Sequence, residues 1–224
     1  MDLDRIIVRN LVKKYRRFVL KVEYAEFKRG LNLVVGSNGS GKTTLLKMIA
    51  GFAWPNNGSI EIIVDGLKYS PREAMKLIGY VAEDVIFPNI KVRELLESFT
   101  LDKQVLRELV DELKLTDHLD KKYMELSAGL RKRVQIIIAL LKKPKILLLD
   151  EPFSNLDILI IPVVKDILQK LKHETIIVVT SHIGLEIDVD TITILDQGRL
   201  LYHGEPSALK PKTILEAEVE GKKS

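Results

Sequence analysis

Residues Gly36-Ser37-Asn38-Gly39-Ser40-Gly41-Lys42-Thr43 fill the pattern G-x-x-x-x-G-K-[ST] completely. The residue types match what phosphate binding requires. Glycines let a chain curl until several backbone N–H groups point inward at phosphate oxygens. A helix beginning straight after the loop adds the partial positive charge of its N-terminus. The Lys42 ammonium is suited to neutralise β- and γ-phosphates, and the Thr43 hydroxyl to ligate Mg²⁺. A chance glycine-rich turn would lack the setting present here, an apolar strand before the loop and a helical pattern after it. The expected nucleotide-binding set is therefore Gly36 through Thr43, with Thr44 behind them. The loop specifies a nucleotide and leaves the reaction open.

A second group lies more than a hundred residues further on. The apolar run Ile146-Leu147-Leu148-Leu149 ends in Asp150-Glu151. Adjacent carboxylates at a strand end can divide two tasks. Asp150 would hold the Mg²⁺ hydration shell, while Glu151 faces an attacking water as its base.

These residues need elements to hold them. Residues 6–15 and 18–27 alternate apolar and polar side chains and are rich in Val, Ile, Tyr and Phe, which predicts strands. Residues 31–35 form a short strand running into Gly36, and residues 44–50 read as a helix ending at Gly51. Residues 59–64 and 67–69 flank Asp65-Gly66, a hairpin signal. From 92 to 119 the apolar spacing of three and four predicts a pair of amphipathic helices, followed by a helix over 131–141. Residues 146–149 and 176–179 are wholly apolar, as in a parallel sheet covered on both faces, with a helix over 163–171 between them. A final hairpin joins 191–195 to 199–202. The fold class expected is α/β, with a mixed β layer, a parallel core and an inserted helical subdomain.

The chain has 224 residues, a formal net charge of +4 and no cysteine. The first two suit one large domain without the basic face of a dedicated nucleic-acid binder. The last removes disulfide, zinc-thiolate and thiol chemistry. No apolar stretch reaches the roughly 20 residues that span a bilayer, and the N-terminus does not read as a signal peptide.

Further motifs make a resemblance specific. Leu126-Ser127-Ala128-Gly129-Leu130, followed by Arg131-Lys132-Arg133-Val134, resembles the signature motif (LSGGQ in its common form) of the ATP-binding cassette family. Tyr15 stands where that family has an aromatic residue stacking on adenine. Residues 78–83 resemble the approach to its Q-loop, and Ser154-Asn155-Leu156-Asp157 its D-loop. Thr180-Ser181-His182 ends a strand as the family's switch histidine does. His118, His173 and His203 read as ordinary surface or core residues.

The resemblance implies a P-loop NTPase fold, a RecA-like parallel sheet core with an N-terminal antiparallel β subdomain and an inserted α-helical subdomain. Residues 1–82 and 143–224 would form the core and β subdomain, and 83–142 the helical insertion. It implies ATP and Mg²⁺ as ligands, with Lys42, Glu151 and His182 catalytic and Thr43, Glu83 and Asp150 on the metal. Ser127, Ala128 and Gly129 would cap a nucleotide held by a second subunit, identical or related, with Asp157 in the D-loop. Partners would be transmembrane permease subunits, placing the chain peripherally on the cytoplasmic face of the membrane. A soluble cassette ATPase acting in translation, on DNA or in iron–sulfur assembly is the alternative. A small-molecule P-loop kinase leaves the signature, D-loop and His182 without a purpose.

Two departures from the family pattern carry consequences. Glu83 replaces the Q-loop glutamine, and its carboxylate would ligate the metal while raising the pKa of a neighbouring carboxylate. Ala128 and Leu130 replace the first Gly and the Gln of the signature. Ser127 and Gly129 are kept.

Overall fold

The computed structural model describes residues 4–82, 85, 87–182 and 187–209. Strands β1 (Arg5–Tyr15) and β2 (Phe18–Lys28) form a long hairpin, and β3 (Gly30–Val35) leads into helix α1 (Lys42–Ile49). A second hairpin, β4 (Asn57–Val64) and β5 (Leu67–Tyr69), precedes the short helix α2 (Pro71–Ala74) and β6 (Ile78–Val81). Three helices follow, α3 (Val92–Glu97), α4 (Lys103–Glu112) and α5 (Ala128–Leu141). The chain then returns to β7 (Ile146–Leu149), α6 (Ile161–Leu171), β8 (Ile176–Ser181) and the hairpin β9 (Thr191–Asp196) and β10 (Arg199–Gly204).

All ten strands belong to one sheet in the order β5-β4-β1-β2-β10-β9-β3-β8-β7-β6. The last five in that order run parallel. The expected β layer is thus continuous with the core, joined through one parallel register pair, Arg199 with Lys21. Side chains supplement that narrow seam, as described below for His203.

The apolar run of β7 suits its place inside the parallel sheet, between β8 and β6. Leu147 and Leu149 face the cluster built with α3, α4, α5 and α6, while Ile146 and Leu148 face the cluster built with α1 and the β layer. A strand covered on both sides needs no polar alternation. Buried Asn32 in β3 is tolerated because its amide donates to the carbonyls of Lys28, Gly30 and Ile177, and its oxygen accepts from Thr191 Oγ1.

The pair of amphipathic helices expected over 92–119 is present as α3 and α4, and the second stops short of 119. Asp102 caps α4, its Oδ1 accepting from Val105 N at 3.2 Å, so α3 and α4 are separate helices with a turn between them. Lys114, at φ 52°, ends α4 in a left-handed turn, and only a 3₁₀ turn (Thr116–His118) follows. The same apolar spacing suits these short pieces, because periodicity does not register a cap. Helix α5 begins three residues before its expected start and runs into the core. There the Ala139 carbonyl lies 2.6 Å from where a Cβ on Gly79 of β6 would sit.

Candidate active site

Parallel pairing sets the site. The register places Val35 beside Ser181, Val179 beside Leu149 and Leu149 beside Val81. The ends of β3, β8, β7 and β6 therefore lie along one sheet edge, where open parallel sheets bind ligands. The loop 36–41 follows β3, Asp150-Glu151 follows β7 and His182 follows β8.

The loop curls as its composition predicts. A Cβ on Gly36 would lie 2.1 Å from the Leu195 carbonyl oxygen and 2.5 Å from Ser40 Oγ, so only glycine permits this approach to β9. Gly41 precedes α1 in the left-handed region, and no side chain caps the helix. The first N–H groups of α1 are thus left for a ligand. Thr43 and Thr44 stand half-buried in its first turn.

Lys42 is 5% exposed, and its Nζ donates to the carbonyls of Gly36 at 2.7 Å and Ser37 at 3.1 Å. It lies 3.4 Å from Glu151 Oε1 and 3.2 Å from His182 Nδ1. His182 Nε2 is 3.4 Å from the same Glu151 oxygen. Lysine only donates, so Nδ1 of His182 accepts and Nε2 carries the proton toward Glu151. Three of the expected catalytic side chains therefore meet at one point.

Glu151 is 8% exposed and has φ 47°, a left-handed conformation uncommon for a side chain of this size. Its surroundings over-determine it. Its N–H donates to Thr180 Oγ1 at 2.9 Å, and its carbonyl accepts from Ser154 Oγ at 2.7 Å and from Ser154 N at 3.2 Å. Asp150 is fully buried, its N–H bonded to the Val81 carbonyl and its Oδ1 accepting from Thr180 Oγ1 at 2.7 Å. Asp150 Oδ2 is buried with no hydrogen-bond partner among the described residues. A buried carboxylate oxygen left without a donor suits a cation or its bound water.

Among the described residues no group of three or more His, Cys, Asp or Glu could hold a metal by itself. Mg²⁺ takes one or two protein oxygens and completes its shell from phosphates and water. Thr43 and Asp150 fit this donor set, while Glu83 lies outside the described residues.

The signature residues sit apart from that point. Ser127 is the N-cap of α5, its Oγ accepting from Leu130 N at 3.3 Å. Its hydroxyl proton stays available to donate. Ala128 is exposed, and Gly129 lies against the D-loop, where a Cβ would come within 2.4 Å of the Asn155 carbonyl oxygen. Asp157 is exposed and turns the chain into α6, its Oδ1 accepting from Leu159 N at 3.0 Å. Tyr15 ends β1 with 47% of its surface exposed.

Sequence reasoning missed several residues that hold this site. Thr180 ties Asp150 to Glu151, and its sequence signal is a hydroxyl directly after the apolar run 176–179. Buried Lys132 on α5 reaches the Asp150 carbonyl at 3.5 Å. Gln135 Nε2, on the same helix, donates to the Val85 carbonyl at 3.2 Å and lies 3.4 Å from the buried Tyr123 hydroxyl. Beside them opens a groove of about 420 Å³, with Phe52, Tyr80, Val85, Phe87, Phe99 and Thr43 in its walls. Thr43 thus belongs both to the phosphate loop and to this groove.

Fold and loop together define a P-loop NTPase of the α/β class. The ABC transporter family model matches residues 26–154, and the chain belongs to the ABC transporter family. It is 34% identical over 192 residues to an Fe(3+) ions import ATP-binding protein of Pseudomonas fluorescens, an alignment covering 79% of this chain and 55% of that relative. It is 32% identical over 225 residues to a molybdate/tungstate import ATP-binding protein of Methanocaldococcus jannaschii, covering 96% of this chain and 75% of the relative. The chain thus spans little more than half the length of the first of these relatives. In fold it matches an ATP binding subunit of an ABC transporter with a TM-score of 0.80 at 24% identity, over 97% of this chain and 99% of that one.

Proposed function

We propose that this chain binds Mg-ATP at the sheet edge, hydrolyses it, and couples that cycle to transport by separate membrane-embedded subunits. The observation that carries the reading is the meeting of Lys42, Glu151 and His182 beside buried Asp150.

In this reading the N–H groups of the loop and of α1 bind the phosphates, and Tyr15 stacks on the base. Thr43 and Asp150 would hold Mg²⁺, which would supply positive charge to neutralise the phosphates. Glu151 accepts a proton from the attacking water, whose oxygen bonds to the γ-phosphorus as the bond to the bridging oxygen breaks. Lys42 exchanges the loop carbonyls for phosphate oxygens, and His182 donates through Nε2–H to orient water and γ-phosphate. Catalysis is then positioning and electrostatics, as is usual in phosphoryl transfer.

Ser127 and Gly129 belong to the nucleotide site of a second subunit, identical or related. Two chains facing head to tail complete each other's sites, and ATP shifts the population toward the closed pair. The groove lined by Phe52, Phe87 and Phe99 takes an apolar segment of the membrane-embedded partner, since it combines an aromatic wall with direct access to Thr43. Among the described residues no helix is long and apolar enough to cross a membrane, so that partner would supply the crossing. The working location is the cytoplasmic face of the membrane.

Glu151→Gln tests the assignment. The variant should bind Mg-ATP and associate in its presence while turnover falls about a hundredfold or more. Full retained ATPase activity would refute Glu151 as the base.

A further inference from the structure

The end of β1 is gripped by the loop that leaves α1. Asn56 N donates to the Val12 carbonyl at 2.7 Å, and Lys14 N donates to Asn56 Oδ1 at 2.7 Å. Between these backbone contacts, Lys13 Nζ donates to the Trp54 carbonyl at 2.7 Å and stands 5.2 Å from the centroid of the Tyr15 ring. The ammonium therefore faces the aromatic ring while it is tethered to the loop 54–56. That loop is continuous with the phosphate-loop helix through Gly51, whose N–H donates to the Met48 carbonyl. One lysine thus links the residue at the base end to the helix at the phosphate end. The Trp54 ring takes no part in this bond and is 62% exposed.

We propose that Lys13 is a positioning residue for base recognition: its ammonium covers one face of Tyr15 and fixes the ring for a purine on the other. This rests on the reading of Tyr15 as the base-stacking residue. Two physical effects act together. The tether removes rotamers that Tyr15 would otherwise sample, lowering the entropy lost when the base binds. The cation also draws on the π-cloud of the phenol ring, which favours stacking with an electron-rich purine on the opposite face. Both effects act on the base alone, since the phosphates are held by the loop 36–41 and by α1.

The test compares Mg-ATP with Mg-tripolyphosphate, which carries the phosphates without the base, by calorimetry on the full chain. Lys13→Met should weaken ATP about three- to tenfold and leave tripolyphosphate within about twofold. It should raise KM without lowering kcat, because stacking is equal in ground and transition states. Lys13→Arg, which keeps both cation and donor, should restore ATP affinity. In a Tyr15→Leu background Lys13→Met should have no further effect. Equal weakening of both ligands, or an unchanged ATP affinity, would overturn the proposal. Equal affinity of the wild-type chain for ATP and tripolyphosphate would overturn stacking at Tyr15 itself, and the role of Lys13 with it.

Discussion

Thr180 bonds Asp150 and Glu151 at once, donating to Asp150 Oδ1 at 2.7 Å and accepting from Glu151 N at 2.9 Å. One hydroxyl on β8 therefore sets the orientation of the buried carboxylate and the unusual backbone turn of the residue beside it. The strand that leads into His182 thus also fixes the turn after β7 that carries Glu151.

Thr180→Val keeps the shape and removes this bond. Two buried groups would be left unsatisfied, and the chain should lose about 1–3 kcal/mol of stability by urea denaturation. Turnover should fall at least about tenfold, because Glu151 loses the contact that holds it at φ 47°. Thr180→Ser should recover most of both. An unchanged turnover in the Val variant would mean that Ser154 alone holds Glu151.

Gly129 yields a second prediction, and it separates packing within one chain from contact between two. A Cβ there would meet the Asn155 carbonyl at 2.4 Å, so Gly129→Ala must push the D-loop away from α5. Overpacking of this kind costs about 1–3 kcal/mol. The melting temperature should therefore fall even without nucleotide and at concentrations where the chain is monomeric. Ala128→Gly, at the exposed neighbour, should cost at most about 1 kcal/mol, the helix-propensity difference. If both variants melt like the wild type and differ only in ATP-dependent association, the role of Gly129 lies wholly across the interface.

The parts of the site that sequence made legible are local ones. The phosphate loop, the Asp150-Glu151 strand end and the two-residue turns at Asp65-Gly66 and Gln197-Gly198 are set by adjacent residues, and the structure has them in those places. The start of α2 is legible too, since Ser70 and Glu73 form a capping box at a spacing of three. Strand β6 is harder. Four residues with Gly79 inside give no useful alternation, and Gly79 is there because the Ala139 carbonyl leaves no room for a Cβ. The Tyr123–Gln135–Val85 contacts were beyond reach, since residues 85 and 135 meet only after α3, α4 and α5 have folded. No period or motif encodes such a contact. The sequence signal of such contacts is polar residues set among apolar ones, here Lys132, Gln135 and Thr180, all buried.

The seam between β10 and β2 gives the last prediction. His203 on β10 accepts from Glu26 N at 2.9 Å through Nε2, and its Nδ1 lies 2.9 Å from Thr193 Oγ1. With the proton on Nδ1 the neutral ring accepts from Glu26 N through Nε2, and a proton added at Nε2 would face the Glu26 carbonyl 3.2 Å away. Phe27 packs edge-on against the ring with centroids 5.6 Å apart. Burial lowers the His203 pKa below its ordinary 6.5 and outweighs the hydrogen bond to the Glu26 backbone and the Glu26 charge, both of which raise it, while Lys28 adds repulsion. A histidine whose folded pKa is depressed takes up its proton more readily in the unfolded chain. Its stabilising contribution is complete above the unfolded value near 6.5 and is lost as pH falls from there toward the folded value. The slope in that window is at most ~1.4 kcal/mol per pH unit for this one group. His203→Gln keeps an amide able to meet Glu26 and Thr193 but cannot titrate. It should be less stable than the wild type at pH 8, and the difference should narrow by pH 5, read as urea midpoints at both values. A gap that stays constant across this range would show that His203 is not the group whose protonation loosens the seam.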